Sequence, residues 1–372
     1  MAKLKVCFHI MGISNIGGTE RVTTQIANLL LEHYSTYEIY ILSNYQVGEK
    51  LPFVGHPAIH YHSFYQQKKR FKPHWLAYIR KTRAYVKREK IDILISVDSF
   101  MYLVDFYACL ATKCRNIVWE HFEYYRKGGS VLVPYAKQLT MKHCAYLVVL
   151  TKRDQCYFQE NHPTSACEIV QIYNPFFASS KKNSYDATSF YIVSCGRLVP
   201  EKGFHFIPDM AARLKSKGLS FCWQIIGEGA ERQHLQQLIQ ERKVADCVKL
   251  VGAVSCVSDY FEKARFFVLT STEEGLGLVL LEAKAAHLPL VSFDIDCGPD
   301  EIILDKENGY LIPAFDQAQM IEKMAALWQN ADLCRALSAK SEQGMQEFTP
   351  QVVAEKWHTL LQQCVSKQRS KR

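Results

Sequence analysis

Two cations lie five positions apart in a loop that joins a predicted strand to a predicted helix. The loop runs from Gly196 to Gly203 and has the sequence GRLVPEKG. A diphosphate needs fixed positive charge and open N–H groups at the start of a helix, and this loop can supply both. We therefore predict that Arg197 and Lys202 bind a diphosphate. Because short motifs of this kind also occur as solvent-exposed turns, the loop alone leaves that alternative open.

A second loop carries two acidic residues. Glu274 follows the predicted strand Phe266–Leu269, and Glu282 lies eight positions later, two turns into the next predicted helix. Gly275 and Gly277 would let the backbone approach a ligand closely. Carboxylates accept hydrogen bonds from sugar hydroxyls and do not suit phosphate. We therefore predict that the two glutamates bind hydroxyls on either side of the phosphates, although a helix-start acid plus a surface glutamate remains the alternative.

The same pair could also be the carboxylates of a glycosidase. Eight helical positions span about 12 Å of axis. Hydrolase carboxyls stand about 5–5.5 Å apart in retaining enzymes and about 6.5–9.5 Å apart in inverting ones. The spacing disfavours a glycosidase without excluding one, because part of the segment is loop.

The first half of the chain carries two weaker signals. Gly17 and Gly18 open a predicted helix and could receive a phosphate or part of a sugar, with a simple tight turn as the alternative. Their spacing matches neither the G-x-G-x-x-G fingerprint nor a P-loop. His121 ends the predicted strand Asn116–Trp119, where it would point toward a ligand. A single histidine is more often structural, so this residue remains a candidate only.

Asp294 and Asp296 suggest a metal site at first sight. The sequence shows no third ligand near them, and a metal is less needed where Arg197 and Lys202 supply charge. We expect no bound metal and no cofactor.

Strand–loop–helix units must position these residues. One is the predicted strand Lys3–Ile10 with the helix Glu20–His33, and another is the strand Phe190–Cys195 with the helix Phe204–Lys217. Short, continuous apolar runs predict further strands that are buried on both faces. They are Tyr37–Leu42, Ile91–Ser96, Asn116–Trp119, Tyr146–Leu150, Phe221–Ile226, Val248–Val251, Phe266–Leu269 and Leu290–Phe293.

This alternation predicts two doubly wound α/β domains with parallel sheets. We place the first domain at residues 1–178, the second at 179–350, and a C-terminal helix with a basic tail at 351–372. Ligands of such sheets bind beyond the carboxyl ends of the strands, where the candidate residues lie.

Composition agrees with a globular chain of 372 residues, 48% hydrophobic and 22% charged. No uncharged apolar run approaches the roughly 20 residues of a membrane span, and the N-terminus lacks the pattern of a secretory signal. The 13 cysteines include no C-x-x-C pair. Free thiols in a reducing compartment explain them best, so we expect a cytoplasmic protein.

Charge is unevenly distributed along the chain. Residues 1–180 carry 22 Lys+Arg against 13 Asp+Glu, whereas residues 181–372 carry 23 against 24. The excess is concentrated in Lys68–Lys90, where Phe71, Trp75, Tyr78 and Tyr85 lie between the cations. One hypothesis is that this stretch docks on an anionic membrane; a solvated helix face is the alternative. We do not expect nucleic acid to be a partner.

Taken together, the motifs resemble glycosyltransferase family 4, whose members have the GT-B fold, with two such domains facing each other across a cleft. The resemblance covers nearly the whole chain and is most specific in the second half. The matching elements are Gly17-Gly18-Thr19-Glu20, Glu120-His121, Gly196-Arg197-Leu198, Glu201-Lys202-Gly203, Gly227-Glu228-Gly229, Glu274-x7-Glu282 and Gly298-Pro299-Asp300-Glu301.

The resemblance implies donor-binding roles for particular residues of these elements. Arg197 and Lys202 would hold the donor diphosphate, Glu282 the ribose hydroxyls and Glu274 the donor sugar. His121 would lie near that sugar and take part in catalysis. Further donor contacts would come from Gly17, Gly18, Gly196, Gly227, Gly275, Leu278 and Val279.

The resemblance also implies a retaining, metal-independent reaction in which the departing diphosphate helps to deprotonate the acceptor. The most similar members build lipopolysaccharide, capsule or other surface polysaccharide, usually from a UDP-sugar carrying a hexose or N-acetylhexosamine. Their acceptor is a glycan and is often lipid-linked. The first domain, residues 1–178, would lie on the acceptor side, and the second, residues 179–350, would bind the nucleotide-sugar donor. The C-terminal helix, here about Gln351–Gln363, typically crosses back to the first domain. Leu276 and Asp300 depart from the commonest pattern, so the sequence does not identify the sugar.

Two other readings stay open. One is a different GT-B enzyme, a phosphorylase or a nucleotide-sugar epimerase. The other is a non-catalytic protein that binds glycan or nucleic acid through the basic first half. The joint presence of Arg197, Lys202, Glu274 and Glu282 argues against the second, because simple binding does not require that set.

Overall fold

The computed structural model describes residues 3–14, 17–48, 50–69, 71–125, 130–177 and 185–369. The chain forms two compact units. Unit 1 comprises Met1–Pro175 together with Phe348–Arg372, and unit 2 comprises Phe176–Glu347. Part of the stretch where the sequence changes domain, residues 178–184, and the end of the basic tail, residues 370–372, lie outside the described residues.

Within the described part of unit 1, seven parallel strands form one sheet in the order β3-β2-β1-β4-β5-β6-β7. The strands are β1 (Leu4–Gly12), β2 (Tyr37–Tyr45), β3 (His60–Tyr65), β4 (Ile93–Val97), β5 (Arg115–Trp119), β6 (Tyr146–Val149) and β7 (Glu168–Gln171). The helices are α1 (Gly18–His33), α2 (Phe71–Glu89), α3 (Ser99–Cys109), α4 (Val133–His143) and α5 (Lys152–Asn161).

Unit 2 has a sheet of the same kind, with six parallel strands in the order β10-β9-β8-β11-β12-β13 over its described residues. The strands are β8 (Tyr191–Cys195), β9 (Cys222–Ile226), β10 (Val248–Gly252), β11 (Ala264–Leu269), β12 (Leu290–Asp294) and β13 (Gly309–Pro313). The helices are α6 (Ile207–Ser216), α7 (Arg232–Glu241), α8 (Ser258–Phe261), α9 (Leu278–Ala285), α10 (Pro299–Ile302), α11 (Gln317–Gln329) and α12 (Ala331–Ser338).

The prediction of two doubly wound parallel domains is confirmed. The central strands form where the sequence has continuous apolar runs, because both faces of such a sheet are covered. β4 and β11, for example, are buried at every position. In each sheet the strand order reverses next to the first strand, between β1 and β4 and between β8 and β11. Ligands of doubly wound sheets bind at such a point.

A last helix, α13 (Pro350–Arg369), follows unit 2 in the chain but packs within unit 1. Its Trp357 is fully buried and contacts Phe8 of β1 and Trp119 of β5, with ring centroids 6.3 and 5.0 Å away. Among the described helices, none is both long and apolar enough to cross a bilayer.

Candidate functional site

The loop after β8 is shaped by backbone hydrogen bonds to the end of β9 and to the loop that follows β9. The N–H groups of Gly196 and Leu198 donate to the carbonyls of Ile226 and Glu228, both at 2.9 Å. Leu198 is fully buried and anchors the middle of the loop in the core. A Cβ atom at Gly227, which has a φ of 141°, would overlap the carbonyl of Gly196. Close backbone packing therefore explains why glycine occupies position 227, independently of any ligand.

The loop after β11 holds Lys202 in place. The Thr270 hydroxyl donates to the Lys202 carbonyl at 2.9 Å, and the Thr272 N–H donates to the Glu201 carbonyl at 2.8 Å. Gly203 has a φ of 62°, and a Cβ atom there would overlap the carbonyl of Thr270. The two loops at the strand-order reversal are thus joined by hydrogen bonds to the backbone carbonyls of Glu201 and Lys202.

Lys202 and Glu274 form an ion pair across these loops. The Lys202 Nζ lies 2.5 Å from the Glu274 Oε1, and the Ser271 hydroxyl donates to the same oxygen at 2.7 Å. The side chains of the pair are 20% and 7% exposed. A cation suited to phosphate and an acid suited to sugar hydroxyls, which the sequence places 72 positions apart, are therefore in direct contact.

Arg197 is exposed, and its guanidinium makes no hydrogen bond or ion pair with the residues that the structure describes. Its side chain can therefore turn toward an anion at no cost in internal contacts. Only one of the two predicted phosphate-binding cations is thus already paired.

Glu282 lies near the same point. It is half-buried on α9. Burial, and secondarily the charge of Glu282, raises the pKa of the Cys195 thiol at the end of β8 to about 12. The charge of Lys202 acts on the same thiol in the opposite direction and lowers its pKa. The expectation that Glu282 lies two full turns into the helix was wrong. Helix α9 begins only at Leu278, so Glu282 lies at the start of its second turn.

The first turn of α9 follows a glycine-rich approach. Gly277 has a φ of 75°, Leu278 and Val279 begin the helix, and Gly275 lies in the preceding loop. The N–H groups of a first helical turn have no partner within the helix, so they can donate to a ligand. The turn at Gly298 packs against this loop, because a Cβ atom there would approach the Leu276 backbone to 3.1 Å.

Sequence reasoning missed Lys284. This lysine is 1% exposed, and its Nζ donates to the carbonyls of Ile302, at 2.8 Å, and Gln343, at 2.6 Å. Burial lowers its pKa to about 8. It ties α9 to the end of α10, which follows Gly298. The available signal was a lysine in α9, a helix of mostly apolar residues.

In unit 1, His121 is buried, and burial lowers its pKa to about 3. Its ring lies 4.4 Å from that of Trp119, and its Nε2 has no hydrogen-bond partner in the described structure. The imidazole is therefore neutral near pH 7 and cannot supply positive charge. Gly17 is the N-cap residue of α1, and a Cβ atom at this position would overlap the Glu20 side chain. Gly18 has open space around it.

Two sequence models of glycosyltransferase families match the chain. The model described as Glycosyltransferase Family 4 matches residues 16–176, and that of glycosyl transferases group 1 matches residues 176–344. Together they span both units, so the chain belongs to the family 4 glycosyltransferases.

Known proteins similar to the chain agree with this assignment. An uncharacterized glycosyltransferase of Haemophilus influenzae is 29% identical, over 96% of this chain and 99% of its own. The amylovoran biosynthesis glycosyltransferase AmsD of Erwinia amylovora is 25% identical over the same shares. The solved structure of HepE from Anabaena in complex with UDP and glucose has a TM-score of 0.77 and 16% identity, over 97% of this chain and all of that one. The fold is thus of the GT-B class.

Proposed function

We propose that this glycosyltransferase acts with retention of configuration and without a metal. It transfers a hexose or N-acetylhexosamine from a nucleotide-diphosphate sugar, in our view a UDP-sugar, to a glycan or lipid-linked acceptor of a surface polysaccharide. The observation that carries the proposal is the contact between Lys202 and Glu274 where the strand order of unit 2 reverses. AmsD is an amylovoran biosynthesis glycosyltransferase, which supports a polysaccharide acceptor. HepE was solved in complex with UDP and glucose, which supports a UDP-sugar donor.

Donor binding would replace the contact between Lys202 and Glu274 with contacts from each of them to the donor. A diphosphate binding Lys202 and Arg197 would draw Lys202 away from Glu274, leaving the Glu274 carboxylate to accept from a sugar hydroxyl. Glu282 would accept from the ribose hydroxyls. The N–H groups of Leu278 and Val279 would donate to the phosphate and the sugar.

The same cations would act in the reaction itself. As the bond to the sugar breaks, negative charge grows on the diphosphate, so Arg197 and Lys202 interact more strongly with the transition state than with the intact donor. The departing diphosphate would take the proton of the acceptor hydroxyl on the same face. His121 would act near the sugar as a neutral hydrogen-bonding group, because burial keeps its imidazole uncharged.

A screen of nucleotide sugars tests the proposal. UDP and GDP release is measured with several sugars, with and without lipid-linked acceptors, and with the protein treated exhaustively with EDTA. We expect a UDP-sugar to be turned over, EDTA to leave the rate unchanged, and NMR of the product to show the anomeric configuration of the donor. An inverted product, or a loss that Mg²⁺ or Mn²⁺ reverses, would contradict the mechanism.

We also propose a peripheral contact with the inner face of the cell membrane through α2, but with different residues from those first expected. Tyr78 and Tyr85 are 0% and 4% exposed, so they cannot insert into lipid. Arg83 donates to the carbonyls of Tyr107 and Ala108 at the end of α3. Arg70 and the Lys72 side chain lie outside the described residues. The exposed cations of this region are Lys68, Arg80, Lys81, Lys87, Arg88 and Lys90.

Co-sedimentation with vesicles tests this contact. Each cation near an anionic surface contributes about 1 kcal/mol, so Arg80→Glu with Lys87→Glu should abolish binding to anionic vesicles at low salt. Lys217→Glu with Lys249→Glu, which reverses two exposed cations of unit 2, is the matched control. Equal binding of the wild type to anionic and neutral vesicles would refute the contact.

A further inference from the structure

One lysine of unit 2 is buried without an acidic partner. Lys284 lies in the last turn of α9, where the other buried residues are Leu280, Leu281 and Ala283, and it is 1% exposed. Among the residues that the structure describes, no carboxylate forms an ion pair with its ammonium group. Taking an ammonium group out of water costs free energy, and an unbranched methionine would fill the same space without that cost. What distinguishes lysine from methionine at this position is therefore the set of contacts that the ammonium group makes.

The ammonium group joins two main-chain segments that are far apart in the chain. Its Nζ donates to the carbonyl of Ile302 at 2.8 Å and to the carbonyl of Gln343 at 2.6 Å. Ile302 is the last residue of α10, and the last carbonyls of a helix have no partner within it. Hydrogen bonds from a charged donor are stronger than neutral ones. Lys284 therefore fixes the end of α10 relative to α9.

The segment that contains Gln343 is also held in other ways. The His287 Nδ1, just beyond α9, lies 2.8 Å from the Ser341 hydroxyl oxygen, and Ser341 is 1% exposed. The Gln343 N–H donates to the Lys340 carbonyl at 3.1 Å. Loss of the Lys284 ammonium group would therefore release α10 more than it releases this segment.

The other end of α10 packs against the loop that carries Glu274. Gly298 precedes the helix with a φ of 105°, and a Cβ atom there would lie 3.4 Å from the Glu274 Cβ and 3.1 Å from the Leu276 backbone. The single turn of α10 carries the carboxyl groups of Asp300 and Glu301. Because Glu274 is proposed to bind the donor sugar, α10 borders the sugar-binding end of the donor site.

We propose that Lys284 is a positioning residue for the donor sugar: by holding the Ile302 carbonyl, it keeps α10 against the Glu274 loop and so determines which sugar is accepted. The proposal rests on the proposed function and adds to it a specificity residue that does not touch the donor. A short helix that is held at both ends places the carboxyl groups of Asp300 and Glu301 at fixed positions. Hydrogen-bonding groups at fixed positions discriminate between sugars that differ in one hydroxyl.

Lys284→Met tests this role, because it removes both hydrogen bonds and keeps an unbranched side chain of similar length. The probes are UDP-glucose, UDP-galactose and their N-acetylated counterparts, assayed with the full-length protein. We expect kcat/KM for the preferred donor to fall at least about tenfold, since a small displacement of positioning groups has an effect of that order. The kcat/KM values of the other donors should fall less, so selectivity is lost. Calorimetric titration should show unchanged UDP affinity, because Arg197, Lys202 and Glu282 remain.

Hydrogen exchange measures the position of α10 without any donor. The N–H groups of Glu301 and Ile303 donate to the carbonyls of Gly298 and Pro299, at 3.1 and 2.8 Å. In Lys284→Met, these two amides should lose protection, with β8 unaffected.

Arg265→Met is the matched control, because it also removes a buried cation of unit 2. Arg265 is 7% exposed, lies at the amino end of β11 and packs over the Trp328 ring at 4.9 Å. Its loss should leave sugar selectivity and UDP affinity as in the wild type, whatever its effect on stability. Lys284→Gln keeps N–H donors one bond short of the ammonium position, so its loss of selectivity should be smaller. It also provides the same comparison if Lys284→Met does not fold.

Three results would overturn the inference. They are wild-type sugar selectivity in a folded Lys284→Met, a loss of UDP affinity as large as the loss of kcat/KM, and an equal loss of selectivity in Arg265→Met. The proposed function fails separately. Lost protection of α10 in Lys284→Met, in a protein that turns over no nucleotide sugar, would refute the proposed function and support the positioning of α10. Donor turnover with unchanged selectivity and protection in Lys284→Met would refute the role of Lys284 alone.

Discussion

At the scale of single residues, the pairing of Lys202 with Glu274 changes what each substitution should do. The sequence alone suggests that removing either donor-site cation leaves stability nearly unchanged. Glu274 is only 7% exposed, so losing Lys202 would leave a largely buried carboxylate without its cation. Arg197 is exposed, and no such penalty arises there.

We therefore predict different stabilities but similar kinetic defects for the two variants. A charge-assisted hydrogen bond contributes about 1.5–3 kcal/mol, so Lys202→Ala and Arg197→Ala should each lower kcat/KM by about ten- to a hundred-and-fifty-fold. The double variant should be non-additive because both cations serve one diphosphate. Steady-state kinetics and calorimetric UDP titration measure these effects.

Thermal unfolding separates the two variants. Lys202→Ala should lose about 1–3 kcal/mol of unfolding free energy, and Arg197→Ala should match the wild type. Lys202→Ala with Glu274→Gln removes both charges and should recover part of that loss. If both single variants fold and keep wild-type kcat/KM and UDP affinity, the donor site lies elsewhere.

At the scale of elements, the donor site depends on two loops that are hydrogen-bonded to each other. The loop after β8 and the loop after β11 are joined by hydrogen bonds from Thr270 and Thr272, and Gly203 leaves no room for a side chain at their contact. A glycine at this point therefore sets the position of Lys202, although no chemistry is assigned to it.

We predict that Gly203→Ala lowers both stability and donor affinity. The left-handed conformation costs a residue with a side chain about 1–2 kcal/mol, and the overlap with the Thr270 carbonyl adds to that. Gly218→Ala is the matched control, since Gly218 has a φ of 77° with nothing within 4 Å. Both variants should lose stability, but only Gly203→Ala should weaken UDP binding. Equal UDP affinity in the two would show that the loop contact does not position Lys202.

At the scale of the whole molecule, the C-terminal helix completes the unit that contains the first residues of the chain. Besides burying Trp357, α13 places His358 against Tyr34 at 3.9 Å, and its Nδ1 lies 2.8 Å from the Tyr37 hydroxyl. Arg115 also donates to the Cys364 carbonyl. Unit 1 therefore reaches its full core only when the last helix is present.

We predict that Trp357→Ala destabilises unit 1 selectively, by about 3–5 kcal/mol. Hydrogen exchange followed by mass spectrometry should show lost protection in β1 and β5, with β8 and β11 unaffected. Thr359→Ala, an exposed position on the same helix, is the control. Equal loss of protection in both units would mean that the helix does not belong to unit 1 alone.

Much of the fold follows from the sequence because buried parallel strands have a local signature. The predicted strands are present, with ends that differ by up to three residues, as in Tyr37–Tyr45 against the predicted Tyr37–Leu42. The three strands that were missed, β3, β7 and β13, all lie at sheet edges. β3 and β7 have no buried position. An edge strand covers less apolar surface, so its sequence lacks the continuous apolar run.

The sequence by itself determined the chemistry available to this protein: two cations in one glycine-rich loop, two acids in another, and the strands that carry both loops. Only the tertiary structure decided how these groups meet. Each of four features depends on residues that are far apart in the chain. They are the Lys202–Glu274 ion pair, the contact of Gly203 with the Thr270 carbonyl, the burial of neutral His121 and the positive φ of Asp98. Local patterns record which face of an element is buried, whereas ion pairs, desolvation and overlaps depend on which elements the sheet order brings together.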